Sequence, residues 1–172
     1  MNLEDQHYRK VYWGDESGFC LAPSVPYGWQ PGGTYTGILA QKSQRRNVFG
    51  PFSRDNAFEG YDTFGPVNAE RLAACLDDFA TNITPKTVVV LANASFHRAA
   101  LIATKSEEWK ENDRCSWFLP AYGPPLNVIE TLWPKVHYEW LKPPHFVHWQ
   151  AFNAALDEIF DTIGRKYKIA FT

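Results

Sequence analysis

Three short stretches hold the side chains with chemistry to offer. VVVLANASFH, residues 88 to 97, runs from apolar residues into Ala92, then polar Asn93 and, further on, His97. An apolar run of this length reads as a buried strand, and an α/β protein delivers its chemistry at the C-terminal ends of such strands. The delivery position holds Ala92, which can do no chemistry. Either this strand carries nothing, or a group that belongs at residue 92 is missing. WGDESGF, residues 13 to 19, offers the adjacent carboxylates Asp15 and Glu16, and LNVIE, residues 126 to 130, offers Glu130. Each has a bland reading. Acids collect in turns, so Asp15 and Glu16 fit a polar turn between two strands. Glu130 fits a solvated helix residue or a cap near Asn127. Side chains alternate along a strand, so Glu16 points away from the face that Asp15 serves.

The elements that must position these residues follow from periodicity. Val11 to Ala22 is rich in β-formers around the turn-prone GDESG. Thr34 to Gln41 reads as a second strand, after a Pro/Gly loop that contains Trp29. Asn47 to Arg54 and Asn56 to Thr63 read as a hairpin about Arg54-Asp55. The period then changes. Asn68 to Phe79 has Ala69, Leu72, Ala73, Leu76 and Phe79 at helical spacing after Pro66. Thr87 to Leu91 is a strand, Arg98 to Trp109 a helix and Cys115 to Leu119 another strand. Leu126 to Trp140 is helical, with Pro134 kinking it or marking a junction. Phe146 to Tyr167 is a final amphipathic helix. A β-meander followed by alternating strands and helices predicts an α/β fold, a mixed sheet with helices on both faces.

Composition sets the class. A chain of 172 residues is most simply one domain with one sizeable core. Hydrophobic residues make up 45% and charged residues 21%, a globular balance that excludes disorder. The net charge of −2 excludes a polycation, so a nucleic-acid partner needs a local basic face. Lys42, Arg45 and Arg46 form the compact cationic cluster; it fits a solvated hairpin end or a phosphate contact equally. Cys20, Cys75 and Cys115 are widely spaced and make no CxxC, which argues against a disulfide framework and a zinc site. The start, MNLEDQHYRK, lacks the apolar core of a signal peptide, and no apolar run approaches the ~20 residues that span a bilayer. The expectation is a soluble cytoplasmic protein without a membrane partner.

Four motifs, WGDESGF, YGWQPGG (27 to 33), VVVLANASFHRA (88 to 99) and FLPAYGPPLNVIETLWPKVHYEWL (118 to 141), resemble the catalytic domain of IS630-type transposases, of the IS630/Tc1/mariner superfamily. The resemblance runs in order over about residues 10 to 142. It implies a ribonuclease H-like fold and a triad of two Asp and one Glu that binds two Mg²⁺ or Mn²⁺ ions. By position the first Asp is Asp15 and the Glu is Glu130. The second Asp of the family precedes Asn-Ala in a DNAxxH motif, and that position is Ala92. The missing group at the strand end is thereby a carboxylate.

The implied chemistry explains why carboxylates are wanted. Mg²⁺ is a hard ion that prefers oxygen ligands. Two such ions ~4 Å apart activate the attacking water or 3′-hydroxyl and stabilise the leaving oxygen of a phosphodiester. Losing the second Asp removes a charge and a ligand, so the chain is expected to be inactive or severely impaired. A deliberate inactivating substitution and a recent natural loss both account for Ala92. The residues Asn93, His97 and Asn127 are candidates to stand beside the ligands. Candidate DNA contacts are Trp29, Lys42, Arg45, Arg46 and Lys135, and His137 and Lys142 also fall where they could face phosphate. Trp13, Trp117 and Trp133 fit a core better than a stacking platform. Gly123, Val128 and Pro134 depart from the usual family pattern.

The resemblance implies cleavage of DNA at transposon ends and strand transfer in the cytoplasm of a prokaryote, at the nucleoid. It implies DNA as partner and a homodimer in the full-length protein. It makes residues 1 to 172 a single catalytic domain without the family's N-terminal helix-turn-helix region, and 145 to 167 its C-terminal helix. Asp15, Glu130 and the Cβ of Ala92 are expected to cluster at one edge of the sheet, and DNA binding is expected to be weak and salt-sensitive. Two rivals stand beside this reading: a decayed or domesticated transposase domain that binds DNA or protein without catalysis, and another ribonuclease H-like nuclease acting on RNA–DNA hybrids.

Overall fold

A computed structural model describes residues 10–22, 44–63, 65–83, 86–91, 100–111, 114–118 (backbone only) and 127–171. Five strands form one sheet: β1 (Lys10–Cys20), β2 (Arg45–Phe52), β3 (Tyr61–Thr63), β4 (Thr87–Leu91) and β5 (Arg114–Phe118), in the order β3-β2-β1-β4-β5. β1 is central. It pairs antiparallel with β2 and parallel with β4, and β4 pairs parallel with β5, so the sheet is mixed. The expected strand at Thr34 to Gln41 lies outside the described residues. The expected hairpin is present: β2 and β3 are antiparallel, joined through a turn in which Ser53 and Ala57 bond.

The GDESG segment is not a turn. β1 runs unbroken through it for 11 residues. Its glycines serve close packing instead. A Cβ on Gly14 would lie 2.9 Å from Leu91 Cδ2 and 2.9 Å from Phe49 Cζ, closer than carbon atoms pack. Gly14 therefore lets β1, β2 and the end of β4 meet under two large side chains.

Alternation along the strands divides the core between the two faces. On one face, Phe19, Val48 and Phe52 pack against Ile129, Leu132, Val136, Phe152 and Leu156. On the other, Tyr12, Phe49, Val89 and Leu91 pack against Leu72, Leu76, Phe79, Ile102 and Trp109. β4 is buried along its whole length, as its continuous apolar run requires of a strand covered on both sides. The helices of the second face are α1 (Ala69–Asn82) and α2 (Ala100–Glu111). Asn68 caps α1, its side-chain oxygen accepting from the Arg71 N–H at 2.9 Å.

The segment after residue 126 differs from the simple kinked helix expected. It opens as a 3-10 turn over Val128–Thr131, passes through a short α-helix, α3 (Leu132–Pro134), and continues as a π-helix over Lys135–Trp140. Pro134 has no N–H to donate, so the ordinary bond to the carbonyl four residues back cannot form there. The hydrogen-bond register changes around it, from Lys135 N–H bonding Leu132 O to Leu141 N–H bonding Val136 O at 3.1 Å. The final helix, α4 (Trp149–Thr162), is shorter than the periodicity suggested. Pro143–Phe146 forms a separate 3-10 turn, and Gly164, at φ +81, reverses the chain. The tail then returns to β2's turn, where the Asn56 side-chain oxygen accepts from Ile169 N–H at 2.7 Å. Among the described residues no helix is long and apolar enough to cross a membrane.

Candidate metal centre

Asp15 sits on β1 opposite Gly50 of β2, one residue beyond the point where Gly14 pairs with Leu91, the last residue of β4. Its side chain points to the face of Trp13 and Phe19, where the segment after Asn127 packs. Glu130 lies in the first turn of that segment and is exposed. The fold thereby brings together two carboxylates 115 residues apart in sequence: the Glu130 carboxyl comes close enough to act on that of Asp15.

The electrostatics of the pair are those of acids crowded together. Burial is the main force that pushes the Asp15 carboxyl up to about 8; the negative charges of Glu16 and Glu130 push the same way, against one backbone N–H at Glu16. Asp15 therefore keeps its proton at neutral pH.

Asn127 begins the turn that carries Glu130. It is 2% exposed, and neither its side-chain oxygen nor its nitrogen has a hydrogen-bond partner. Only its backbone is used: the carbonyl accepts from Glu130 N–H at 3.0 Å. A buried amide without partners costs about 1–3 kcal/mol, so this arrangement is that of a site made to hold something polar. Among the described residues there is no cluster of three or more metal-binding side chains. Ala92, Asn93 and His97 lie outside the described residues.

The expected cationic contacts divide sharply. Arg46 is engaged inside the fold: Nε and Nη2 donate to Asp62 at 2.6 and 2.9 Å, and Nη1 to Asp157 at 2.7 Å, so it ties β2 to β3 and α4. Lys135 is bonded to Glu139 one turn on, at 2.7 and 2.8 Å. Arg45 is exposed and meets no carboxylate among the described residues. Trp29 and Lys42 lie outside the described residues. Trp133 is in the core at 5% exposed, and Trp13 is half-buried beneath the Arg54 guanidinium.

His137 does not face outward to phosphate. Its Nε2 bonds Ser17 Oγ at 2.9 Å, and its ring stacks on Phe19 with centroids 4.5 Å apart. Burial, then the charge of Arg45, holds its pKa down. Ser17 shares a strand face with Asp15, and His137 lies on the element that carries Glu130. The Ser17–His137 bond is thus a second tie between the two elements of the carboxylate pair. Sequence reasoning missed this pairing; alternation from Asp15 to Ser17 was the available signal.

A family model described as DDE superfamily endonuclease matches residues 10–150. No curated protein sequence matches the chain. Among solved structures the chain is similar to the Mos1 transposase paired-end complex with left transposon end, at TM-score 0.67 and 16% identity over 92% of this chain and 49% of that one. It is similar to the Mos1 mariner paired end complex with Mn, at TM-score 0.60 and 19% identity over 88% and 48%. It also matches the catalytic core domain of BIV integrase, at TM-score 0.56 and 12% identity over 94% and 87%. The chain spans about half the length of the two Mos1 chains. The mixed sheet with helices on both faces is the ribonuclease H-like fold of these transposase and integrase cores. With that fold and a family match over most of its length, the chain belongs to the DDE superfamily endonucleases.

Proposed function

We propose that this chain is the catalytic domain of an IS630-type DNA transposase, whose intact form cuts DNA at transposon ends and transfers strands, and that Ala92 disables it. The observation that carries this reading is the Asp15–Glu130 pair beside the end of β4. Leu91 is paired with Gly14, the neighbour of Asp15. The next residue, 92, is one Cα step of 3.8 Å from Leu91. A carboxylate at 92 would thus be anchored one residue past the strand end that pairs beside Asp15. The Mos1 complexes with left transposon end, with Mn and with Mg support DNA as the partner and a divalent ion as the cofactor. A homodimer is part of the proposal for the intact protein.

The residues present fit a hard cation. Asp15 and Glu130 supply carboxylate oxygens, and the unpartnered Asn127 amide belongs to the turn that carries Glu130. Asp15 and Glu130 would hold Mg²⁺ or Mn²⁺, which would supply activation of the attacking oxygen and charge stabilisation at the phosphodiester. Asp15 must release its proton to serve as a ligand, and its raised pKa opposes that step near neutrality. With Ala92 there is one anionic donor fewer to drive it. Glu130, exposed at the rim, leaves the centre open to a substrate strand.

The test is Ala92→Asp. Calorimetric titration with Mg²⁺ and Mn²⁺ should show tighter binding than the present chain, and in the full-length protein the same change should restore cleavage of transposon-end DNA. Without metal the variant should be less stable, because a third acid is crowded against Asp15 and Glu130. If Ala92→Asp bound metal no better and cut nothing, the triad assignment would fall. The non-catalytic binding domain, which Ala92 itself favours, would take its place.

A further inference from the structure

Arg45 and Arg46 are adjacent in sequence and opposite in use. The Arg46 guanidinium is saturated by Asp62 and Asp157. Arg45 has no acidic partner among the described residues, yet its side chain is held in place. Its Nε donates to Asn47 Oδ1 at 2.8 Å, and Asn47 Nδ2 in turn donates to the Gly65 carbonyl at 2.9 Å. The guanidinium lies flat on Gly18: a Cβ there would collide with its Nε, Cζ and Nη2. Gly18 is therefore the surface on which Arg45 rests, and the terminal nitrogens remain to donate outward.

The place it occupies is a junction. A groove of about 460 Å³ lies to one side, walled by Trp149, Asn153 and Arg46 with its partners Asp62 and Asp157. A second, of about 440 Å³, lies to the other, along Glu16, Pro66 and Val67. Both are lined by Arg45, Asn47 and Gly65. Arg46 is bonded to both Asp62 and Asp157, so Arg45 is the guanidinium of the first groove that bonds no carboxylate among the described residues.

We propose that Arg45 is a preset anchor for one phosphodiester of a DNA strand lying through this double groove. A planar guanidinium held by its Nε, with neither terminal nitrogen bonded among the described residues, matches two oxygens of one phosphate. Cys20, the register partner of Arg45, is five residues from Asp15 along β1, about 17 Å at the usual rise. Gly18 faces away from Asp15, on the other side of the strand. The phosphate held is thus remote from the one that would be cut, and Arg45 sets the path of the strand. This rests on the reading of the chain as a DNA-acting domain.

The test uses the full chain and duplex DNA at about 50 mM and 200 mM salt. Arg45→Gln should weaken binding about tenfold, the loss of one charge-assisted pair, and flatten the log–log salt slope by about 0.9, the loss of one phosphate contact. Gly18→Ala, which keeps the charge but removes its resting surface, should also weaken binding. Lys168→Gln, near the Asn56–Ile169 contact at the opposite end of β2, should change neither quantity. His137 is a local reporter, because the charge of Arg45 helps hold its pKa down. DNA should raise the His137 pKa, followed by NMR, in the native chain and not in Arg45→Gln. If the native chain binds DNA while Arg45→Gln binds equally well with the same salt slope, the anchor is refuted and the DNA reading stands. Gly18→Ala binding as the native chain does would refute the preset geometry. No DNA binding by the native chain at low salt would overturn both this inference and the functional reading beneath it.

Discussion

Replacing Asp15 by Asn should stabilise the protein, increasingly so as pH rises. The Asp15 carboxyl moves from 3.8 to about 8 on folding, mainly through burial and then through the charges of Glu16 and Glu130. Its folded-state pKa lies above the unfolded one. The favourable effect of holding the proton is complete below 3.8 and is lost as pH rises toward 8. Across that window the native chain should lose about 1.4 kcal/mol per pH unit from this group. The total approaches about 6 kcal/mol at pH 8, a large part of a typical domain stability. For a chain of this size that is about 3–5 °C in Tm per pH unit. Asn is isosteric and cannot ionise, so Asp15→Asn should lack this slope. The assay is thermal unfolding of both proteins from pH 4.5 to 8.5, read as the difference in Tm. His137, depressed by burial and by Arg45, loses stability in the opposite sense as pH falls below 6.5, but it is common to both proteins and cancels. A Tm difference that stays constant across the range would refute the crowded-acid description of the site.

Gly14→Ala should destabilise the fold by about 1–3 kcal/mol through overpacking, because its methyl would sit 2.9 Å from Leu91 and from Phe49; an unchanged Tm would show that the β1–β4 contact has slack. Arg46→Gln should cost about 2–3 kcal/mol, the loss of charge-assisted bonds to Asp62 and Asp157. Its signature is faster amide hydrogen exchange in α4, and unaltered α4 protection would show that the tie contributes nothing.

Much of the architecture is legible without coordinates. The period-3.6 pattern over Leu72, Leu76 and Phe79 arises from which side of the helix must be buried, and the continuous apolar run of β4 from burial on both faces, so the sequence alone determines α1, the hairpin, β4 and the two-faced sheet. The motifs likewise determine that Asp15 and Glu130 are the residues to watch and that something is missing at 92. Other features are decided only by tertiary contact. GDESG reads as a turn because Gly and Asp favour turns locally, but the strands on either side of β1 and the crowding at Gly14 hold it extended. Pro134 signals a break, but whether the chain kinks or changes hydrogen-bond register depends on burying Trp133 and Val136 against the sheet. Arg45 and Arg46 are equivalent as letters. Opposite strand faces send one to Asp62 and Asp157 and leave the other on Gly18. The raised pKa of Asp15 belongs to neither Asp15 nor Glu130 in sequence; it exists because folding buries one carboxylate against another, and a pairwise energy of that kind depends on distance in space.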